Sequence, residues 1–202
     1  MKELVIATRN KKKQLEIQRL LNDFDIKVFS LDKFKGLPEV EEDGLTFRAN
    51  ARKKALETSS RLDKLVMADD SGLEVPALGN KPGVNSARYA GISQDDNKNN
   101  AKLLKSMKDF SGRKRRARFR CVICISKGRK VIGIAEGKVE GEIAFKLAGN
   151  TGFGYDVLFV PKGYKKTFAQ LGPKIKDGLS HRAFALKKAK GIICKYFLRK
   201  SM

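Results

Sequence analysis

The sequence has little that would tie it to a membrane. No apolar run approaches the roughly 18 residues that a spanning helix needs. The opening MKELVIATRNKKKQ offers an apolar stretch too short, and too soon interrupted by charge, for a signal peptide. These absences point to an intracellular, cytoplasmic protein. Cysteine is scarce as well: Cys121, Cys124 and Cys194. An odd number without an export signal argues against a disulfide framework. The CVIC segment resembles a redox or zinc motif, but it lies in RFRCVICIS, which reads as a strand. Residues three apart on a strand point to opposite faces, so both thiols are expected in the core rather than on one ligand. Low-complexity tracts and internal repeats are missing too. A hydrophobic fraction of 41% over 202 residues supports one folded domain.

Acid is the other scarcity. There are 22 Asp and Glu against 44 Lys and Arg, giving a net charge of +22. Such an excess suits an anionic substrate or nucleic acid. The basic residues are scattered, with denser patches at Gly112–Arg120 and Lys187–Lys200, and neither has the interleaved aromatics of a base-stacking platform. Helix-turn-helix, zinc-finger and aromatic-sheet signatures are missing. Nucleic-acid binding is therefore expected only as a weak, charge-driven side property.

The chain reads as alternating strands and helices, then antiparallel strands. Residues 4–7 form a strand, 9–23 a helix with Leu15, Leu20 and Leu21 inward, and 25–31 a second strand, a βαβ unit. Thr46 is placed to N-cap the next helix, and Asp95 or Asp96 the one after it. KLVMA is a strand feeding the loop Asp69-Asp70-Ser71-Gly72. Two strands flank KGR as a hairpin, GFGYDVLFV is another strand, and a C-terminal helix turns Ala183, Leu186 and Ala189 to one face, with Phe184, Ile192 and Phe197 near it. This favours an α/β (mixed α+β) fold with one extended sheet.

Four segments carry candidate chemistry. ATRNKKK joins a strand to a helix, so free helix N–H groups, Thr8, Asn10 and Lys13 face the loop, a natural anion site that lacks the Walker A order. Glu39, Glu41, Glu42 and Asp43 form an acidic loop. With Asp69 and Asp70 they supply hard oxygen ligands for Mg²⁺, and a carboxylate there can deprotonate water. In NTGFGYD, glycines permit close backbone approach, and Phe153 and Tyr155 offer flat faces for a base. Lys176, the lone His181 and Arg182 complete the set.

Five segments in this order, ATRNKKKQLEI, EEDGLTFRANARKKA, ADDSGLEVPALGNKPGVNSARYAG, GFGYDVLFVP and LSHRAFAL, closely resemble the pyrophosphatases of deaminated purine nucleoside triphosphates, the inosine/xanthosine triphosphate family. The resemblance covers nearly the whole chain. It implies a long twisted mixed sheet flanked by helices, in one domain of two lobes with the active-site cleft between them. It implies Mg²⁺-dependent hydrolysis of dITP, ITP or XTP to the monophosphate and pyrophosphate, by a homodimer that cleanses the nucleotide pool. It assigns triphosphate contacts to Thr8, Arg9, Asn10, Lys11, Lys12 and Lys13, and further substrate contacts to Asn50, Lys53 and Ser71. It makes Asp70 the proton acceptor and a metal ligand, with Glu41 or Glu42 as the acidic-loop ligand. It places Phe153, Gly154, Tyr155 and Asp156 at the base, with Lys176, His181 and Arg182 as remaining nucleotide contacts. On this reading a divalent ion and the triphosphate offset the repulsion between Asp69 and Asp70. Arg9, Asn85 and Gln170 depart from the family's usual glycine, tyrosine and glutamate. Rival readings are a pyrophosphatase for other modified bases, a catalytically silent relative, or a nucleic-acid-binding protein.

Overall fold

The structure, a computed structural model, describes residues 2–92 and 94–200, without the side chain of Lys200. Among the described residues seven strands form one mixed sheet: β1 (Glu3–Ile6), β2 (Lys27–Ser30), β3 (Leu65–Val75), β4 (Lys81–Pro82), β5 (Arg116–Lys127), β6 (Lys130–Ile143) and β7 (Phe159–Pro161). Their order is β2-β1-β3-β5-β6-β7, with β4 paired to β3. The accompanying helices are α1 (Lys11–Leu20), α2 (Phe47–Leu62), α3 (Asp96–Ser106), α4 (Phe168–Leu179) and α5 (His181–Lys200). None of the described helices is long and apolar enough to cross a membrane. The chain divides into two compact units, and β3, β5 and β6 each contribute residues to both.

The first unit comprises residues 1–70, 121–137 and 182–202. β1 pairs in parallel with β2 across α1, so the expected βαβ unit is present. β1 also runs parallel to β3, with Val5 opposite Val66. The core joins Leu4, Ile6, Ile17, Met67, Ile123, Leu186 and Ile193. One inward assignment fails: Leu15 is 58% exposed, whereas Gln14, Glu16 and Ile17 are buried. The reason is an ionic one. Glu16 is drawn in by a buried arginine, and that fixes which face of α1 looks inward. Thr46 caps α2 as expected, accepting the Ala49 N–H at 3.1 Å. On α5 the buried apolar residues are Ala185, Leu186, Ala189 and Ile193, with Ile192 and Phe197 packed against them, while Phe184 faces out. Cys121 and Cys124 are both buried on β5, as expected of core thiols, and burial pushes the Cys124 thiol up to about 11.

The second unit comprises residues 71–120 and 138–181. Its core joins Leu73, Leu103, Phe119, Ile143, Tyr155, Phe159 and Phe168. Asp95 caps α3 by accepting from Asn97 and Lys98. The segment read as strand from 152 to 160 is mostly not one. Gly154–Val157 is a 3-10 turn, and only Phe159–Pro161 pairs, antiparallel to β6. Gln170 fills the role of a glutamate at that place: its Oε1 accepts the Thr167 N–H at 3.0 Å while Thr167 caps Gln170 in return.

Candidate active site

Asp69 and Asp70 are not on a loop. β3 is an eleven-residue strand that continues through both to Val75, and both are almost fully buried. Aspartate, serine and glycine in succession favour turns in isolation. Here strand pairing and burial on both sides override that preference. Successive residues of a strand point to opposite faces, so the adjacent carboxylates diverge. Their repulsion is relieved by separation and by different partners, and a single ion held between the two is not what this geometry provides.

Asp69 belongs to a buried ionic cluster. Its Oδ2 lies 3.2 Å from Lys13 Nζ and accepts from Arg182 Nη2 at 3.2 Å. Arg182 Nη1 donates to Glu16 Oε2 at 2.6 Å, so the guanidinium joins two carboxylates brought together from α1 and β3. Burial alone would raise the Asp69 pKa, but Lys13 and Arg182 outweigh it and hold the group well below the usual carboxylate range. Asp69 is therefore charged throughout the working pH range.

Asp70 faces α2. Its Oδ2 accepts from Asn50 Nδ2 at 3.0 Å, and Asn50 Oδ1 in turn accepts the Gly44 N–H at 2.7 Å. That second bond ties the acidic loop to the helix carrying Asn50. Lys54, one helical turn beyond Asn50, lies 4.0 Å from Asp70 Oδ1 and 3.0 Å from Glu42 Oε2. Burial is the largest influence on Asp70, Glu42 adds to it, and Lys54, Lys13 and Asn50 oppose it. The net effect pushes Asp70 up to about 6. Two neighbouring carboxylates share one lysine here, and one of them is held near the pH at which general bases work.

The other first-unit residues have clear places. Asn10 caps α1, accepting the Lys13 N–H, and Thr8 Oγ1 accepts the Asn10 N–H, so both side-chain oxygens organise the loop. Arg9 Nη2 donates to Leu37 O at 2.6 Å, so the departure from glycine ties two loops together. Lys11 pairs with Asp32 on the surface, Lys12 is exposed, and Lys53 pairs with Asp43. Glu42, not the exposed Glu41, is the acidic-loop residue beside Asp70. Lys54 and Glu16 were not among the sequence candidates. Lys54 had a signal, a four-residue spacing from Asn50; Glu16 had none, because its partner is 166 residues away.

In the second unit, Ser71 follows on β3, half-buried. Asp156 organises the Gly-rich turn. Its Oδ2 accepts the Phe153 N–H at 2.9 Å and lies 2.6 Å from Lys176 Nζ. A Cβ on Gly152 would collide with that oxygen, and Gly152 has φ +81°, so only glycine serves there. Lys176 Nζ also sits 4.6 Å from the Phe153 ring centroid. Gly154 is held on both sides by α3: its N–H donates to Asp96 and its carbonyl accepts from Asn100. Tyr155 does not offer a flat face. It is buried, with its hydroxyl donating to Ser86 O at 2.9 Å. His181 is buried and stacks on Phe119 at 4.7 Å.

Among the described residues no three acidic, histidine or cysteine side chains converge as a ready metal cage. Asp70 and Glu42 nonetheless fit Mg²⁺, which takes one or two protein carboxylates and completes its shell from water and substrate phosphates. Both carboxylates already converge on one cation, Lys54 Nζ lying 3.0 Å from Glu42 Oε2 and 4.0 Å from Asp70 Oδ1.

A mixed α/β fold that buries one carboxylate with a raised pKa among lysines and an arginine is the arrangement expected of an enzyme site. The chain belongs to the Ham1 family, whose profile matches residues 4–192. It is 48% identical over 200 residues to the dITP/XTP pyrophosphatase of Desulforamulus reducens, covering 99% of this chain and 100% of that protein. It is 46% identical to the dITP/XTP pyrophosphatase of Clostridium perfringens over 94% and 96% of the two chains. Among solved structures it resembles a HAM1 protein from Coxiella burnetii, with a TM-score of 0.87 and 38% identity over 96% of this chain and all of that one. The Mycobacterium abscessus nucleoside-triphosphatase / dITP/XTP pyrophosphatase gives a TM-score of 0.76 at 39% identity, covering 93% and 98%.

Proposed function

We propose that this protein hydrolyses dITP and XTP to the nucleoside monophosphate and pyrophosphate, and ITP with them. The observation that carries the reading is Asp70, buried in mid-strand beside Glu42 and Lys54, in a chain related over its full length to dITP/XTP pyrophosphatases. Asp70 and Glu42 are assigned as the residues that hold Mg²⁺, with Glu41 close behind on the same loop. When bound, the ion would neutralise phosphate charge and favour an in-line arrangement.

Asp70 accepts a proton from the water that attacks the α-phosphorus. The bond to the β-phosphate oxygen breaks and pyrophosphate leaves. Asn50 holds the Asp70 carboxylate in orientation through its Nδ2–H, and Lys54 supplies a fixed positive charge near it. Lys13, held at Asp69, and the loop from Thr8 to Lys12 are assigned to the phosphates, with Lys53 and Ser71 as further substrate contacts. Arg182 acts by fixing Asp69 and Glu16. In the second unit, Phe153 and Gly154 are assigned to the base. Tyr155, Asp156 and Lys176 are assigned to shaping that turn through their buried contacts, and His181, stacked on Phe119, to the same unit. A 6-oxo purine presents an acceptor where adenine has an amino donor, so a site with donors aimed at that position favours hypoxanthine and xanthine over adenine. The protein is assigned to the cytoplasm and to a homodimer.

The products test the reaction. With dITP and Mg²⁺, monophosphate and pyrophosphate should appear in equal amounts. Release of orthophosphate and a diphosphate instead would place the attack at the γ-phosphorus and overturn the assignment.

A further inference from the structure

The reaction above draws on only a few of the 44 Lys and Arg, and one helix carries a dense group of the remainder without acids. Elsewhere in the first unit many cations are matched by acids: Lys64 by Glu3, Lys11 by Asp32, Lys53 by Asp43, Lys54 by Glu42, and Lys127 by Asp63. In the second unit the basic run Gly112–Arg120 is partly structural. Buried Arg115 donates to the carbonyls of Met107, Phe110, Ile143 and Ala144, and Arg118 and Arg120 both grip Glu74.

α5 is different. From Arg182 to Lys200 the sequence contains no Asp or Glu. Its apolar side is buried in the core, and the other side exposes Lys187, Lys188, Lys195 and Arg199. Among the described residues Lys187, Lys195 and Arg199 make no ion pair, and Lys188 bonds only to a backbone carbonyl, that of Glu136, at 2.7 Å. At 1.5 Å per residue the four cations span roughly 18 Å of helix axis.

We infer that this face of α5 is a docking surface for the phosphate backbone of nucleic acid, engaged without regard to base sequence. A row of cations with no acidic partner gains by replacing the counterions condensed on a nucleic acid, which favours binding at low salt. Base readout is not expected, because the face presents no array of aromatic or bidentate amide side chains. A lipid surface is disfavoured by the same geometry. The apolar side of α5 is already used, and the exposed Phe184 and Leu198 lie roughly 21 Å apart along the axis.

The test compares two variants of equal charge change. The first combines Lys187→Gln, Lys188→Gln, Lys195→Gln and Arg199→Gln. The second combines the dispersed, exposed Lys35→Gln, Lys105→Gln, Lys146→Gln and Lys165→Gln. Each is titrated with a fluorescent duplex between about 50 and 200 mM salt, with matched phosphatidylserine vesicles as a second probe. The first variant should lose at least about tenfold in duplex affinity and flatten the salt slope by about 3 to 4, at close to one phosphate per cation. The second should stay within about twofold of the wild type, and both should keep the helical circular dichroism and the pyrophosphatase activity. Equal losses in the two variants would show that net charge alone acts, and would overturn the assignment to α5. Wild-type protein that ignores the duplex, or that binds the vesicles in preference to it, would overturn the choice of nucleic acid.

Discussion

Asp70→Asn should cut the rate steeply and stabilise the fold. Removing a general base costs about 10²–10⁴ in rate. The stability effect has the opposite sign for a reason visible in the site. Burial raises the Asp70 carboxyl from the ordinary aspartate value to about 6. A carboxyl whose folded pKa is raised contributes stability that is fully present below the unfolded pKa and lost as pH rises through the folded one. In metal-free protein, stability should therefore fall between about pH 4 and about pH 6 and level off above that. The amide that replaces the carboxylate carries no charge and keeps an oxygen for the Asn50 Nδ2–H. The variant should unfold several degrees higher at pH 7.5 in EDTA. The pH dependence of stability should flatten with it. A variant that is both active and no more stable would remove Asp70 from the role given to it.

Arg182→Ala should be the most damaging substitution in the first unit. Arg182 is 1% exposed, and Glu16 and Asp69 both depend on its guanidinium. Its loss leaves two buried carboxylates, with Lys13 still beside Asp69. Breaking a buried ion pair by removing one partner costs about 3–5 kcal/mol. Thermal unfolding at pH 7.5 should move down by about ten degrees or more. Glu16→Gln, which keeps a hydrogen-bond acceptor for Arg182 Nη1, should cost much less. If Arg182→Ala unfolds at the wild-type temperature, the cluster is not what holds Asp69 in place.

The two predictions differ in sign because the two aspartates face opposite sides of one strand. That was the feature least legible in the sequence. Local chemistry was readable: the caps at Thr46 and Asp95, the parallel βαβ start and the buried thiols of β5 all arise from neighbours within a few residues. Asp-Asp-Ser-Gly looks like a turn to any local rule, and only pairing and burial from distant segments make it strand. The same limit explains Glu16 and Leu15. The apolar spacing of α1 put Leu15 inside, but a buried arginine far along the chain reversed it. Tyr155 likewise looked available for stacking, yet its hydroxyl is committed to the Ser86 carbonyl. The candidate site was legible as a set of residues because five segments in order carry the family's pattern. The division of labour within that set was not, since it depends on which carboxylate meets which cation.

Whether the Asp70 centre serves deaminated purine triphosphates is tested most directly by pyrophosphate release in Mg²⁺ from dITP, XTP, dATP, dGTP and dUTP at matched concentrations. Rapid release is expected from dITP and XTP, with dATP slower by at least about two orders of magnitude, because adenine puts an amino donor where a site built for a 6-oxo group offers donors. Equal rates on dATP and dITP, or no release from dITP and XTP, would contradict it.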